Sequence, residues 1–304
     1  MPHHAPPKND RTGPAGAPAD PAGDTNAYAG LIAWREGYAA ALGAPDGWWS
    51  VTGLSWLDGG AGFIGSHQDA LVRLPDRFAP EIVRLAVVPD GLRVEPVVGS
   101  GQASPLDLDG VRLSAPVVLQ PGRSRLTVGA SGAALVDLFF RGGRWGARSF
   151  DPAQGAKRAS EGVAWFDPAP GWCVPARVEE PSAGETVAFT DVLGEAHVAP
   201  VAGRVRFVLG GQEHVLIATS AGEDLFVNFR DETNGAVDPS IRTYGAGRFL
   251  KIPAPTASGT VIDFHRAYHP PCAHTPYAMC PLPPAENRLR IAVLAGERLP
   301  HARG

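Results

Sequence analysis

Glycine and proline interrupt this chain too often for long helices to run through it. There are 37 glycines and 30 prolines among 304 residues. Glycine weakens a helix interior by its backbone freedom, and proline breaks one by lacking an N–H. Such a chain favours short strands joined by many turns. Its length exceeds a typical single domain, so two domains are expected, and an apolar share of 44% is enough to bury a sizeable core.

The first 26 residues hold proline, alanine, glycine and aspartate with almost no large apolar side chain. They cannot bury enough surface to offset the entropy of ordering, which predicts a disordered tail. From Asn26 to Gly43, Tyr28, Leu31, Ile32, Arg35, Tyr38, Ala39 and Leu42 recur at helical spacing. Thr25 or Asn26 would cap this helix, and Gly43 would end it in a left-handed conformation.

From Trp48 to Phe150 the pattern changes to short apolar runs such as EIVRLAVV, GLRVEPVV, SRLTVG and AALVDLFFR, separated by PDG, QPGR and RGG. Asp90-Gly91 is a hairpin signal. Residues 27–150 therefore read as one helix and a β-sandwich. Residues 151–172 read as a connection, with Trp165 and Phe166 anchoring it. Residues 173–304 are again strand-rich (CVPARVEE, ETVAFTDV, GRVRFVLG, HVLIAT, DLFVNF, TVIDFH, LRIAVLA), with Gly210-Gly211 at a hairpin. The expected fold is mostly β: an N-terminal sandwich preceded by one helix, then a barrel-like β domain with a Pro-rich loop.

A net charge of −4 argues against a nucleic-acid partner. No apolar run reaches membrane-spanning length, and the first residues show no secretory h-region, so the expected location is the cytoplasm. Three cysteines make a poor disulfide framework. In a reducing compartment they would be thiols or metal ligands.

The chemistry concentrates between Thr243 and Glu297. That stretch holds Cys272, Cys280, His265, His269 and His274, with Pro270-Pro271 and Pro281-Leu282-Pro283-Pro284 stiffening the backbone. Three uses are open. His265, His269, Cys272, His274 and Cys280 could ligate zinc, iron or copper. Cys272 or Cys280 could be a nucleophile, with His269 or His274 as base and Asp263 or Glu286 orienting it. Arg230, Arg248 and Arg288, with Tyr244 and Tyr268, could bind a small anionic ligand. Each has a structural counterpart: hydrogen-bonded loop histidines, a small buried thiol, an arginine–carboxylate network.

In three pieces, Phe229-Arg230-Asp231-Glu232-Thr233-Asn234-Gly235, Thr243 to Leu250, and Asp263-Phe264-His265-Arg266-Ala267-Tyr268-His269-Pro270-Pro271-Cys272 running on to Leu289, the chain resembles the bacterial and archaeal family called domain of unknown function 1684. Trp34-Arg35, Gly53 to Leu57 and Phe63 to Ser66 fit it as well. The family's wording around the first cysteine is D-F-N-x-A-Y-N-P-P-C-A-F. Both asparagines and the phenylalanine are here His265, His269 and His274. The resemblance implies no activity. Phe63-Ile64-Gly65-Ser66 followed by Leu71 to Pro75 also resembles the opening of a forkhead-associated domain, with Ser66 where such domains place arginine and no Ser-x-x-His after it.

The expected function is a small-molecule enzyme with its site in the C-terminal block, with or without a metal. The alternative is a non-catalytic protein that binds a ligand or partner, its sandwich forkhead-associated-like.

Overall fold

The computed structural model describes residues 25–97, 105–130, 133–257 and 259–300. The expected tail falls outside them up to residue 24. Helix α1 runs over Thr25–Gly43. Leu31, Arg35 and Leu42 are buried, with Trp34 and Tyr38 half-buried between them, as a 3.6-residue repeat requires. Tyr28, expected on that face, is 45% exposed. Gly43 is not among the glycines of positive φ. It serves close packing instead, since a Cβ there would lie 2.7 Å from that of Ala159.

The chain divides into two compact units. One spans Ala40–Glu161. The other joins the described residues up to Ala39 to those from Gly162 onward, so most of α1, expected with the sandwich, groups with the C-terminal half.

The first unit holds β1 (Val51–Trp56), β2 (Ala61–Gly65), β3 (Val72–Arg73), β4 (Val83–Val88), β5 (Gly91–Pro96), β6 (Leu106–Leu108), β7 (Val111–Arg112), β8 (Val117–Leu119), β9 (Arg123–Val128), β10 (Ala134–Arg141) and β11 (Arg144–Phe150). They form two sheets of order β1-β11-β10-β9-β6-β7 and β3-β2-β4-β5-β8. Ile64, Val83, Leu85, Leu92 and Val94 of one sheet share an apolar core with Leu126, Val128, Val136 and Leu138 of the other, which makes a sandwich. The expected hairpin forms between β4 and β5, shifted by one residue. Val88 pairs with Gly91, so Pro89 and Asp90 make the turn. Gly91, at φ 142°, opens the next strand where a Cβ would meet the Leu119 carbonyl. Helix α2 (Pro152–Ala159) occupies part of the expected connection, capped by Asp151 accepting from the Ala153 N–H.

The second unit holds β12 (Cys173–Glu179), β13 (Thr186–Thr190), β14 (Ala196–Pro200), β15 (Gly203–Leu209), β16 (Gln212–Ala221), β17 (Asp224–Phe229), β18 (Arg248–Ile252) and β19 (Thr260–Asp263). Strands β13 and β14 form a separate hairpin, and the other six form a sheet of order β18-β17-β16-β15-β12-β19. Gly210 and Gly211, both at positive φ, make the β15–β16 turn as a two-residue hairpin demands. Strand β16 changes partner along its length: Gln212 to Ala218 pair with β15, and Thr219 to Ala221 with β17. That change curls the sheet into a half-barrel. The expected strand over LRIAVLA is absent. Leu289, Val293 and Ala295 are buried there on an irregular segment. Asn287 pins that segment by bonding Ile217 N and O and Asn228 O at 2.7–2.9 Å. No helix among the described residues is long and apolar enough to cross a membrane.

Candidate active site

Strand β19 ends at Asp263, whose carboxylate caps the following 3-10 turn by accepting from the His265 N–H at 3.1 Å. The same carboxylate holds His265 Nδ1 at 2.8 Å and accepts from Arg266 Nε at 3.1 Å. His265 Nε2 lies 3.0 Å from the Ala169 carbonyl. His265 is fully buried with both ring nitrogens engaged, so it is a pin between two loops. Asp263, expected to orient a catalytic base, orients this pin.

Chain from Tyr268 onward converges on Glu297, a buried carboxylate that no sequence motif marks. Glu297 Oε2 accepts from the His269 N–H at 2.7 Å and from the Tyr38 hydroxyl at 2.9 Å. Oε1 lies 3.2 Å from His269 Nδ1 and 3.5 Å from His274 Nε2. Burial pushes this carboxyl's pKa up. Its pairing with His269, through the backbone N–H and the ring, and with His274 outweighs this and brings the pKa to about 2. Burial and the Glu297 charge raise the pKa of Tyr38 and Tyr268, so both phenols keep their protons. Aromatic rings enclose the cluster: Trp34 stacks on Tyr38, and Trp165 meets both edge-on. Trp165 is the expected anchor, bridged to Glu297 through the backbone.

His269 Nε2 accepts the Tyr244 N–H at 3.2 Å. With Nδ1 facing Glu297, this network assigns the ring proton to Nδ1. The lone pair expected to act as a base is therefore occupied, and His269 positions the Tyr244 loop. On that loop the Tyr244 phenol interacts with the Cys272 thiol and favours its thiolate form.

Cys272 sits on a short 3-10 turn, Pro271–Ala273, whose entry is set by Pro270 and Pro271. Cys280, buried, returns beside it: the Cys272 N–H donates to Cys280 Sγ at 3.1 Å. A hydrogen bond from Cys280 and one from Tyr244 stabilise the Cys272 thiolate, and together they lower its pKa against the opposing effect of burial. Tyr244 is raised by burial first and by this hydrogen bond second, so it stays a donor.

The structure therefore brings Tyr244, Cys272 and Cys280 together, and gathers His269, His274 and Tyr268 around Glu297. It does not assemble the expected five-ligand metal site of His265, His269, Cys272, His274 and Cys280. Among the described residues, the one group of three such side chains within reach of a shared ion is Asp191, Glu195 and His197 at the β13–β14 turn. There Asp191 accepts from the Leu193 and Glu195 N–H groups, which is how such a turn is held. The expected anion site does not assemble either. Arg248 is fully buried and binds Asp231 through Nε at 3.2 Å and Nη2 at 2.7 Å, and the Val293 and Ala295 carbonyls as well. Asp231 also accepts from Thr233 Oγ1 at 2.6 Å, which closes the network. Arg230, Arg288 and Glu286 are exposed.

A surface cleft of the sandwich unit, lined by Leu57, Pro121, Phe140 and Trp145, contains none of these residues. In the resembling FIGS segment Ser66 ties its own loop, donating to the Phe78 carbonyl at 2.8 Å.

No curated protein matches the chain. Among solved structures, it is similar to an uncharacterized protein of Haloarcula marismortui determined by solution NMR. The identity is 31% over 47% of this chain and 80% of that one, with a TM-score of 0.38. The family model described as protein of unknown function (DUF1684) matches residues 158–298, which include every one of these C-terminal groups but not the forkhead-like segment. The chain belongs to that family.

Proposed function

We propose that the C-terminal unit is a small-molecule enzyme in which Cys272 is the nucleophile. One observation carries this reading: a half-buried thiol on a proline-set turn, its own N–H donating to the Cys280 sulfur, in surroundings where Cys280 and Tyr244 lower its pKa. A thiolate is the reactive form of cysteine, and donors that favour it make the sulfur nucleophilic near neutral pH. The roles of the neighbours follow. Tyr244 and Cys280 hold the thiolate. His269, fixed by Glu297, positions Tyr244 through its backbone N–H. No histidine acts as base in this arrangement, because the thiol is activated by hydrogen bonds to its anion. The partner is an electrophilic small molecule able to reach a half-buried sulfur.

The test uses p-nitrophenyl acetate as an acyl probe on the full chain. The expected result is a burst of one equivalent of p-nitrophenol, lost in a Cys272→Ser variant whose circular dichroism is unchanged. The absence of a burst, or its survival in that variant, would overturn the assignment.

A further inference from the structure

The second thiol of the pair has a use that simple nucleophilic catalysis does not require. Cys280 Sγ lies 3.1 Å from the amide nitrogen of Cys272. That nitrogen is separated from the carbon bearing the Cys272 sulfur only by Cα, about 1.5 Å away. Bonding the two sulfurs therefore asks for rotation of side chains and little movement of backbone. The exposures differ in a useful way. Cys272 is half-exposed and Cys280 is buried, so an outside oxidant meets Cys272 first. Prolines 270, 271 and 281 flank the two cysteines and fix their own backbone φ, so less conformational entropy is lost when the ring closes.

We infer that Cys272 and Cys280 are a two-electron dithiol–disulfide couple that reduces a small hydroperoxide, with Cys272 as the attacking and Cys280 as the resolving thiol. The inference rests on the reading of Cys272 as nucleophile. In the first step the Cys272 thiolate attacks the terminal oxygen of the hydroperoxide. The S–O bond forms, the O–O bond breaks, and the alkoxide takes a proton from solvent to leave as alcohol. In the second step Cys280, losing its proton, attacks the Cys272 sulfur. The S–S bond forms, the S–O bond breaks, and hydroxide leaves with that proton as water. The hydroperoxide gains two electrons and the dithiol loses two. A low-molecular-weight dithiol restores the pair by exchange. A small oxidant suits the site better than a protein disulfide, because the attacking cysteine is only partly exposed.

The experiment treats the reduced full chain with one equivalent of hydrogen peroxide and maps the cysteines by mass spectrometry, with Cys173 as internal reference. The expected result is loss of two thiols per chain and a Cys272–Cys280 cross-linked peptide, with Cys272 reacting at least about tenfold faster than Cys173. In Cys280→Ser the reaction should stop at a sulfenic acid on Cys272, trapped by dimedone. In Cys272→Ser the thiol loss should fall to the Cys173 rate. If the acyl burst is present but peroxide yields no 272–280 link, the couple is wrong and the nucleophile stands. If Cys272 gives neither a burst nor fast oxidation, both fall. Oxidation by a glutathione-type disulfide at least as fast as by peroxide would overturn the choice of oxidant.

Discussion

The sandwich and the C-terminal unit are both β-rich, but they are held together differently. Among the described residues, the buried polar side chains of the sandwich unit are Ser50, Asp137, Arg148 and Ser149. In the other unit they are thirteen, including Arg248, Asp231, His265, His269, Asn287 and Glu297. An apolar core tolerates substitution as long as volume and pattern are kept. A buried polar network tolerates little, because each member left without its partner costs a desolvation penalty. The second unit therefore gives up tolerance for geometry, and its two reactive sulfurs sit at the end of that geometry. The ladder from Glu297 through His269 and the Tyr244 backbone to Cys272 is the clearest instance.

The largest expected difference is between two aspartates. Asp231→Ala leaves Arg248 fully buried with its charge uncompensated, a loss of about 3–5 kcal/mol. Asp137→Ala in the sandwich leaves Arg123 and Arg125, which are 57% and 33% exposed and can turn to water. Its cost should be about 1–2 kcal/mol. Urea unfolding of the two variants measures this, and equal losses would erase the distinction between the units.

Next comes acid. The Glu297 pKa falls from 4.5 to about 2 on folding. A depressed carboxyl contributes stability that is present above its unfolded pKa and lost as pH falls through the folded one. The window is thus pH 4.5 down to 2, and the full shift is worth roughly 3 kcal/mol. Glu297→Gln should lower stability at neutral pH and flatten the wild-type slope across that window. Parallel slopes for the two proteins would show that Glu297 is not the group being titrated.

How much of this was legible in advance follows from range. Turn chemistry is local, so the Asp90-Gly91 and Gly210-Gly211 hairpins were readable, the first to within one residue. The 3.6-residue repeat of α1 was readable for the same reason, as was the density of His, Cys and Pro that marks the C-terminal block. Glu297 was not readable as its hub. Its partner Tyr38 is 259 residues away, and a lone glutamate in a polar segment carries no pattern. The arginines misled because arginine recognises a protein carboxylate and a ligand carboxylate by the same fork. Only burial and partner geometry assign Arg248 to Asp231. Helix α2 was hidden by its small residues, since Gly155 is there for close approach to Ser50 and leaves no apolar stripe to read. His269 was legible as a site residue and not as a positioning one, because the Tyr244 N–H that occupies its lone pair comes from a distant loop.

A smaller and more local effect tests the ladder itself. Tyr244→Phe removes one hydrogen bond to the Cys272 thiolate and leaves the Tyr244 N–H on His269 intact. The pH midpoint of Cys272 alkylation by iodoacetamide should rise by about one unit, with the slowing confined to neutral and lower pH. Stability should hardly change. A midpoint that stays put would leave Cys280 as the sole donor that matters and would shorten the ladder by one step.

The smallest expected effect lies on the sandwich surface and is informative because it should be near zero. Arg84 Nε donates to Glu81 Oε1 at 2.6 Å, a shorter contact than any Arg248 makes with Asp231. Yet the Arg84 side chain is 60% exposed, so water replaces the pair almost without loss and salt screens what attraction there is. Arg84→Ala should leave the urea midpoint unchanged, while Asp231→Ala moves it by a large fraction of the whole stability. Distance alone would rank the two pairs in the opposite order. If Arg84→Ala approached Asp137→Ala in cost, polar contacts would matter as much to the sandwich as its apolar core, and burial would cease to be what separates the two units.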